Sequence, residues 1–180
     1  MSTFGSLLVQ DHIVGVNEIE QALQRQVIYG GDLACNLLEL GIASESVLTE
    51  YMARSMGLSP LVTDLVAGAD PAAIRKIPWT VATTNEFVPV RIDGDRLVVA
   101  VSSPIKEESA EELSFLLGFD FDQFFVFGFR LAMARNRYYG IPMPARFRAL
   151  QERLAPNFKA DLPPLVSSPN AKTELISRSD

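Results

Sequence analysis

Asp32–Ser55, DLACNLLELGIASESVLTEYMARS, reads as an apolar helix, a glycine break and a capped second helix. The same pattern stands 29 residues earlier, without a gap, in Thr3–Gln26, TFGSLLVQDHIVGVNEIEQALQRQ. Phe4 aligns with Leu33, Leu8 with Leu37, Ile13 with Ile42, Ile19 with Leu48 and Leu23 with Met52. A helix pair with one apolar face buries that face most readily against its twin, so residues 1–57 are expected to fold as one small helical unit.

Within the first repeat, Phe4, Leu7, Leu8, Ile13 and Val14 supply the apolar stripe of a short helix that Gly15 ends. Asn17 and Glu20 have the spacing of a capping box and predict the start of the next helix, with Ile19, Ala22 and Leu23 facing inward. Gly30-Gly31 stops that helix. The second repeat uses the same devices: Leu33, Leu37, Leu38 and Leu40 are apolar, Gly41 breaks, Ser44 or Ser46 caps, and Val47, Leu48, Tyr51 and Met52 face inward. Gly57 closes the unit.

Residues 58–69 read as a linker, and 70–140 as a small α/β domain. Asp70-Pro71 is a helix start, an N-cap with proline at the first helical position. Phe87–Ile92 and Arg96–Val101 are rich in β-branched residues and joined across Asp93-Gly94, which predicts a hairpin with Pro89 at an edge. A helix over Glu107–Leu117 with Ala110, Leu113, Leu116 and Leu117 inward, a strand over Phe119–Phe127 and a helix over Phe129–Tyr139 complete the domain. Residues 141–154 allow a short helix, and 155–180, with Pro, Ser and Asn, are expected to be disordered. The fold class is therefore mixed α/β (α+β): a small helical bundle, then a hairpin and third strand packed on helices.

A chain of 180 residues with 48% apolar content can bury a core, and a net charge of −6 argues against nucleic-acid binding, which needs a basic face. The single cysteine, Cys35, cannot pair within the chain. No basic region followed by an apolar run opens the sequence, and no apolar run approaches the ~20 residues of a membrane span. The expectation is a cytoplasmic protein with no membrane insertion.

The paired 24-residue motifs with their five-residue spacer, Val27–Gly31, resemble the N-terminal domain of bacterial secretion and pilus assembly ATPases of the GspE, PilB and MshE type. That pattern runs Arg-Leu-Gly, an apolar pair, Gly-apolar-apolar, then Leu, Leu and a final Gln. In some members the tandem motif binds cyclic di-GMP, one motif for each half of the dinucleotide. The resemblance implies candidate ligand positions at Thr3, Phe4, Gly5, Leu8 and Gln26, and at Asp32, Leu33, Ala34, Leu37 and Gly41. This chain departs from the pattern where it matters most: Thr3 and Asp32 stand at the arginine positions, Ala34 and His12 at glycines, and Ser55 at the last Gln. A guanidinium pairs with phosphate, whereas a carboxylate repels it. Arg25 and Arg54, at the ends of the capped helices, are the cations available as substitutes.

The second half adds to the likeness through DPAAIRKIP, VPVRIDGDRLVVAVSSP, EELSFLLGF and RYYG, so that the resemblance covers about Thr3–Gly140. It implies a regulatory or adaptor module acting by protein–protein contact, with secretion, pilus or motility machinery as partners. The rival reading is a cyclic di-GMP receptor with degenerate motifs; otherwise no cofactor is expected. No lysine follows a glycine, so a P-loop cannot be built, and the ATPase domain is absent from this sequence. One His and one Cys make no familiar zinc site. Glu107, Glu108, Glu111 and Glu112 read as dipole-favoured residues at a helix start rather than as catalytic acids. His12 reads as a helix-end residue and Cys35 as core. Phe119, Phe121, Phe125 and Phe127 fall on one strand face and Phe124 on the other, and Arg130, Arg135 and Arg137 follow on a helix. Phe124 and these arginines form the expected surface for a protein partner.

Overall fold

The computed structural model describes residues 3–158 and 164–166, which divide into two units, Met1–Pro60 and Leu61–Asp180. The mixed helix and sheet architecture expected from the sequence is present.

In the first unit the two repeats give two helix pairs: α1 (Phe4–Gln10) with α2 (Val16–Tyr29), and α3 (Leu33–Leu40) with α4 (Glu45–Ser55). Its core holds the equivalent pair Leu8 and Leu37, together with Leu48, Ala22, Ala34 and Ala53, all fully buried. Helix α1 ends at Asp11, and His12 takes a left-handed φ of 56°. The expected cap at Asn17 is displaced to Gly15, whose N–H donates to the Glu18 carboxylate at 2.8 Å. Ser44, not Ser46, caps α4, accepting from Val47 N–H at 3.4 Å. Gly41 adopts the left-handed conformation, φ 71°, that the end of α3 requires. Ile13 and Leu23, expected inward, are 40% and 45% exposed, because Val14 and Ala22 occupy the interior at those turns.

Among the described residues, Asn36 is the one polar residue buried in this core. Its amide donates to the Gly30 carbonyl at 3.1 Å and the Asp32 carbonyl at 2.8 Å, so it ties the inter-repeat turn to α3. Burial of an amide is tolerated because it is satisfied there.

The second unit is built on β2 (Phe87–Asp93) and β3 (Arg96–Val101), an antiparallel hairpin, with β4 (Asp120–Phe125) parallel to β3. A parallel neighbour needs a crossover, and α8 (Glu107–Leu117) provides it. Within this unit the strand order is β4–β3–β2, and β1 is the two residues Ser59–Pro60 that close the first unit. Pro89 sits on the edge strand as expected, and the register slips between Pro89 and Arg91. Val90, at that slip, accepts from Asp70 N–H at 2.7 Å. Helices α6 (Pro71–Lys76), α7 (Trp79–Thr84), α9 (Gly128–Tyr139) and α10 (Ala145–Leu154) complete the unit. The stretch read as a linker, 58–69, contains a turn of helix, α5 (Leu65–Gly68), with Leu65 buried and both its carbonyl and that of Val66 accepting from the Tyr138 hydroxyl.

Leu116, expected inward on α8, is 67% exposed; Leu113 alone of that helix is buried. Most of the stretch expected to be disordered lies outside the described residues. Of its described part, Val166 N–H donates to the Tyr138 carbonyl at 2.9 Å.

Arg96 on β3 reaches the Asp122 carboxylate on β4 through Nε at 2.6 Å and through Nη2. The hydrogen bond from Arg96 holds the Asp122 carboxyl below its ordinary value. A folded pKa lowered in this way contributes stability above the unfolded carboxylate range, lost as pH falls through the folded value. Asp122→Asn is therefore expected to lower Tm slightly at neutral pH, with the gap to wild type closing in strong acid. Paired thermal melts across pH 2–7 check this; a gap that widens in acid contradicts it.

Candidate functional site

The first unit contains an open groove of about 810 Å³, lined by residues from both repeats. Four pairs of equivalent positions contribute: Thr3 and Asp32, Phe4 and Leu33, Gly5 and Ala34, Leu23 and Met52. The duplication thus converges on one surface. A Cβ at Gly5 would lie 3.2 Å from Leu33 Cδ2, so the glycine lets α1 approach the start of α3 closely.

Of the ten candidate positions, six line the groove: Thr3, Phe4, Gly5, Asp32, Leu33 and Ala34. The others do not. Leu8 and Leu37 are wholly in the core, Gly41 ends α3, and Gln26 is half buried outside the lining. Ile19, Leu23, Met52, Ser55 and Met56 line the groove without having been singled out as ligand positions. The signal for some of them was the offset of 29 residues, since Leu23 and Met52 are equivalent.

Thr3 and Asp32 have a second role that the sequence did not reveal. Each is the N-cap of its helix: Thr3 Oγ1 accepts from Ser6 N–H at 3.4 Å, and Asp32 Oδ1 from Cys35 N–H at 2.6 Å. Threonine and aspartate are preferred caps, which arginine is not. A helix N-terminus attracts anions through its free N–H groups. In α3, Asp32 takes one of those donors and adds a negative charge at that terminus.

The two arginines of the first unit do not replace the missing cations. Arg25 bonds Glu39 at 3.2 and 3.3 Å and lies over the Tyr29 ring, 4.6 Å from its centre. Arg54 pairs with Asp11 at 3.4 Å. Neither lines the groove, nor does any Lys or His.

In the second unit the phenylalanines are largely spent on packing. Phe125 and Phe127 are buried and meet edge to face at 6.0 Å, while Phe121 meets Phe87 at 5.6 Å. Arg135 is not a free surface cation: it is half buried, donates to the Thr83 carbonyl at 3.2 Å and lies 3.9 Å from Glu86. Phe124, Arg130 and Arg137 are also half buried, with Arg130 over the Phe129 ring at 4.8 Å. Among the described residues no group of three metal-ligating side chains occurs, and no helix is long and apolar enough to cross a membrane.

Residues 59–145 match the model of the MshEN domain. The type IV pilus assembly ATPase PilB of Myxococcus xanthus (strain DK1622) is 27% identical over 141 residues, 78% of this chain. The chain spans about a quarter of that relative's length, 25%. A solved structure of MshE with cdg is 29% identical, covering 77% of this chain and 100% of its own, with a TM-score of 0.59. The N-terminal domain of XpsE is 14% identical over 74% of this chain and 94% of its own, with a TM-score of 0.49. The groove, built from residues 3–56, lies ahead of the matched MshEN span.

Proposed function

Because residues 59–145 match the MshEN domain model and the chain is similar to part of the pilus assembly ATPase PilB and to MshE, we propose that it is a non-catalytic regulatory module that works by binding. The observation that supports this reading is the apolar groove that the duplicated motifs share. Its walls offer hydrophobic surface, a few hydroxyl and amide groups and the single carboxylate of Asp32, with no constellation for acid–base or nucleophilic work. The partner is a protein, of pilus assembly machinery by the likeness to PilB, and the setting is the cytoplasm. Phe124, Arg130 and Arg137 are our proposed second surface for such contacts, on the other unit.

A second reading, a cyclic di-GMP receptor, is supported by the solved MshE with cdg and by the position of Thr3 and Asp32 in the groove. The two readings separate by calorimetry. The unmodified protein is expected to bind cyclic di-GMP weakly or not at all. Thr3→Arg with Asp32→Arg is expected to raise affinity by about tenfold or more per arginine, the scale of a charge-assisted contact of about 1.5–3 kcal/mol. Submicromolar binding by the unmodified chain would establish the receptor reading instead.

A further inference from the structure

We infer that the groove of the first unit accepts an amphipathic helix whose polar face is basic, supplied by a partner protein. The inference rests on the reading of the chain as a binding module and names what is bound.

The shape comes first. Ile19 and Leu23 line one wall, and Val27 continues the same row of α2 at the i, i+4, i+8 spacing. Val27 is 88% exposed, so the apolar surface runs beyond the groove rather than ending with it. The row is about 12 Å long at the helical rise, enough to oppose two turns of another helix. Met52 and Met56 lie one turn apart on α4 and its cap. Thioether side chains repack to suit irregular apolar partners. An open apolar groove lined by helices is a surface on which another helix docks through i, i+3, i+4 and i+7 anchors.

The charge comes second. Residues 1–60 contain seven carboxylates and two arginines, and both arginines are tied to carboxylates of the same unit. Asp32 is exposed on the groove and its cap bond uses Oδ1. The formal charge of residues 1–60 is negative and Asp32 is the charged side chain in the groove lining, which favours a cationic partner there. Basic side chains flanking an apolar stripe on a partner helix satisfy both features.

The test uses the full chain and three 18-residue peptides: a Leu/Lys amphipathic helix, a Leu/Glu helix with the same apolar face, and a scrambled Leu/Lys peptide without one. The expected result is binding of the first at least tenfold tighter than either other, with amide shifts at Ile19, Leu23, Met52 and Met56. Val27→Asp and Leu23→Asp, at exposed positions, should weaken it about tenfold without changing the melt. Asp32→Asn keeps a side-chain cap but removes the charge, and should weaken it several-fold. Equal binding of the scrambled peptide, or indifference to Val27→Asp and Leu23→Asp, overturns the inference. If the Leu/Glu helix binds through the same residues, the basic partner is wrong while the binding-module reading stands. If cyclic di-GMP alone titrates the groove, the helix is wrong and the module is a receptor. Silence to the dinucleotide and to all three peptides rejects both readings.

Discussion

Leu37→Ala is expected to cost the first unit about 3 kcal/mol, within the range of roughly 2–5 for a leucine deleted from a tight core. Leu37 is wholly buried at the centre of α3, and its equivalent Leu8 is wholly buried in α1. Beside it only Leu8, Leu38 and Leu48 are buried leucines among the described residues of this unit, and each kcal/mol moves Tm by roughly 4–8 °C in a domain of 60–100 residues. Hydrogen exchange on peptides from residues 3–56 should show protection falling by about two orders of magnitude, the equivalent of ~3 kcal/mol. Leu23→Ala, at the groove surface, should cost much less. Equal effects from the two would mean that Leu37 does not hold this core together.

Phe125→Ala is the corresponding test in the second unit, with an expected loss of about 3–5 kcal/mol. Phe125 is buried at the end of β4, opposite Val101 in the parallel ladder and edge-on to Phe127. Phe124, its neighbour on the opposite strand face, is half buried, so Phe124→Ala should cost clearly less. Phe115 is almost wholly exposed, and Phe115→Ala should stay within about 0.5 kcal/mol of wild type. Denaturant melts of the three variants check the ranking, and a Phe124→Ala loss matching that of Phe125→Ala would place both strand faces in the core.

Much of the architecture was legible because its signals are local. The helical period, the glycines at 30, 41 and 57 and the Asp70-Pro71 start each report a backbone requirement within a few residues, and the structure meets them. The errors have two causes: at Asn17 one local signal displaced another, and elsewhere a tertiary contact overrode a local preference. Asn17 is the better cap in isolation, yet Gly15 takes the role because Glu18 returns to its N–H. Helix α5 is too short to show a period and is fixed by the hydroxyl of Tyr138, far along the chain. Arg135 looked like surface because arginine usually is; its partner Thr83 is distant in sequence. At the groove, periodicity identified the apolar residues but not which would meet and which would leave a gap. Phe4 and Leu8 read alike, and only packing separates wall from core. The loss of arginine at Asp32 was plain in the sequence, while its gain as a cap needed the geometry of Cys35 N–H.

The slip in β2 has a consequence for how copies of this protein behave at high concentration. β2 forms the outer margin of the sheet, where unpaired donors and acceptors invite another chain to add a strand. Pro89 brings no N–H to that margin, the register breaks beside it, and the Val90 carbonyl is already engaged by Asp70. The margin is therefore a poor template for runaway polymerisation into fibrils or aggregates. A module with an exposed apolar groove on its other unit can in this way remain available to a partner without its sheet becoming an adhesive surface for its own copies.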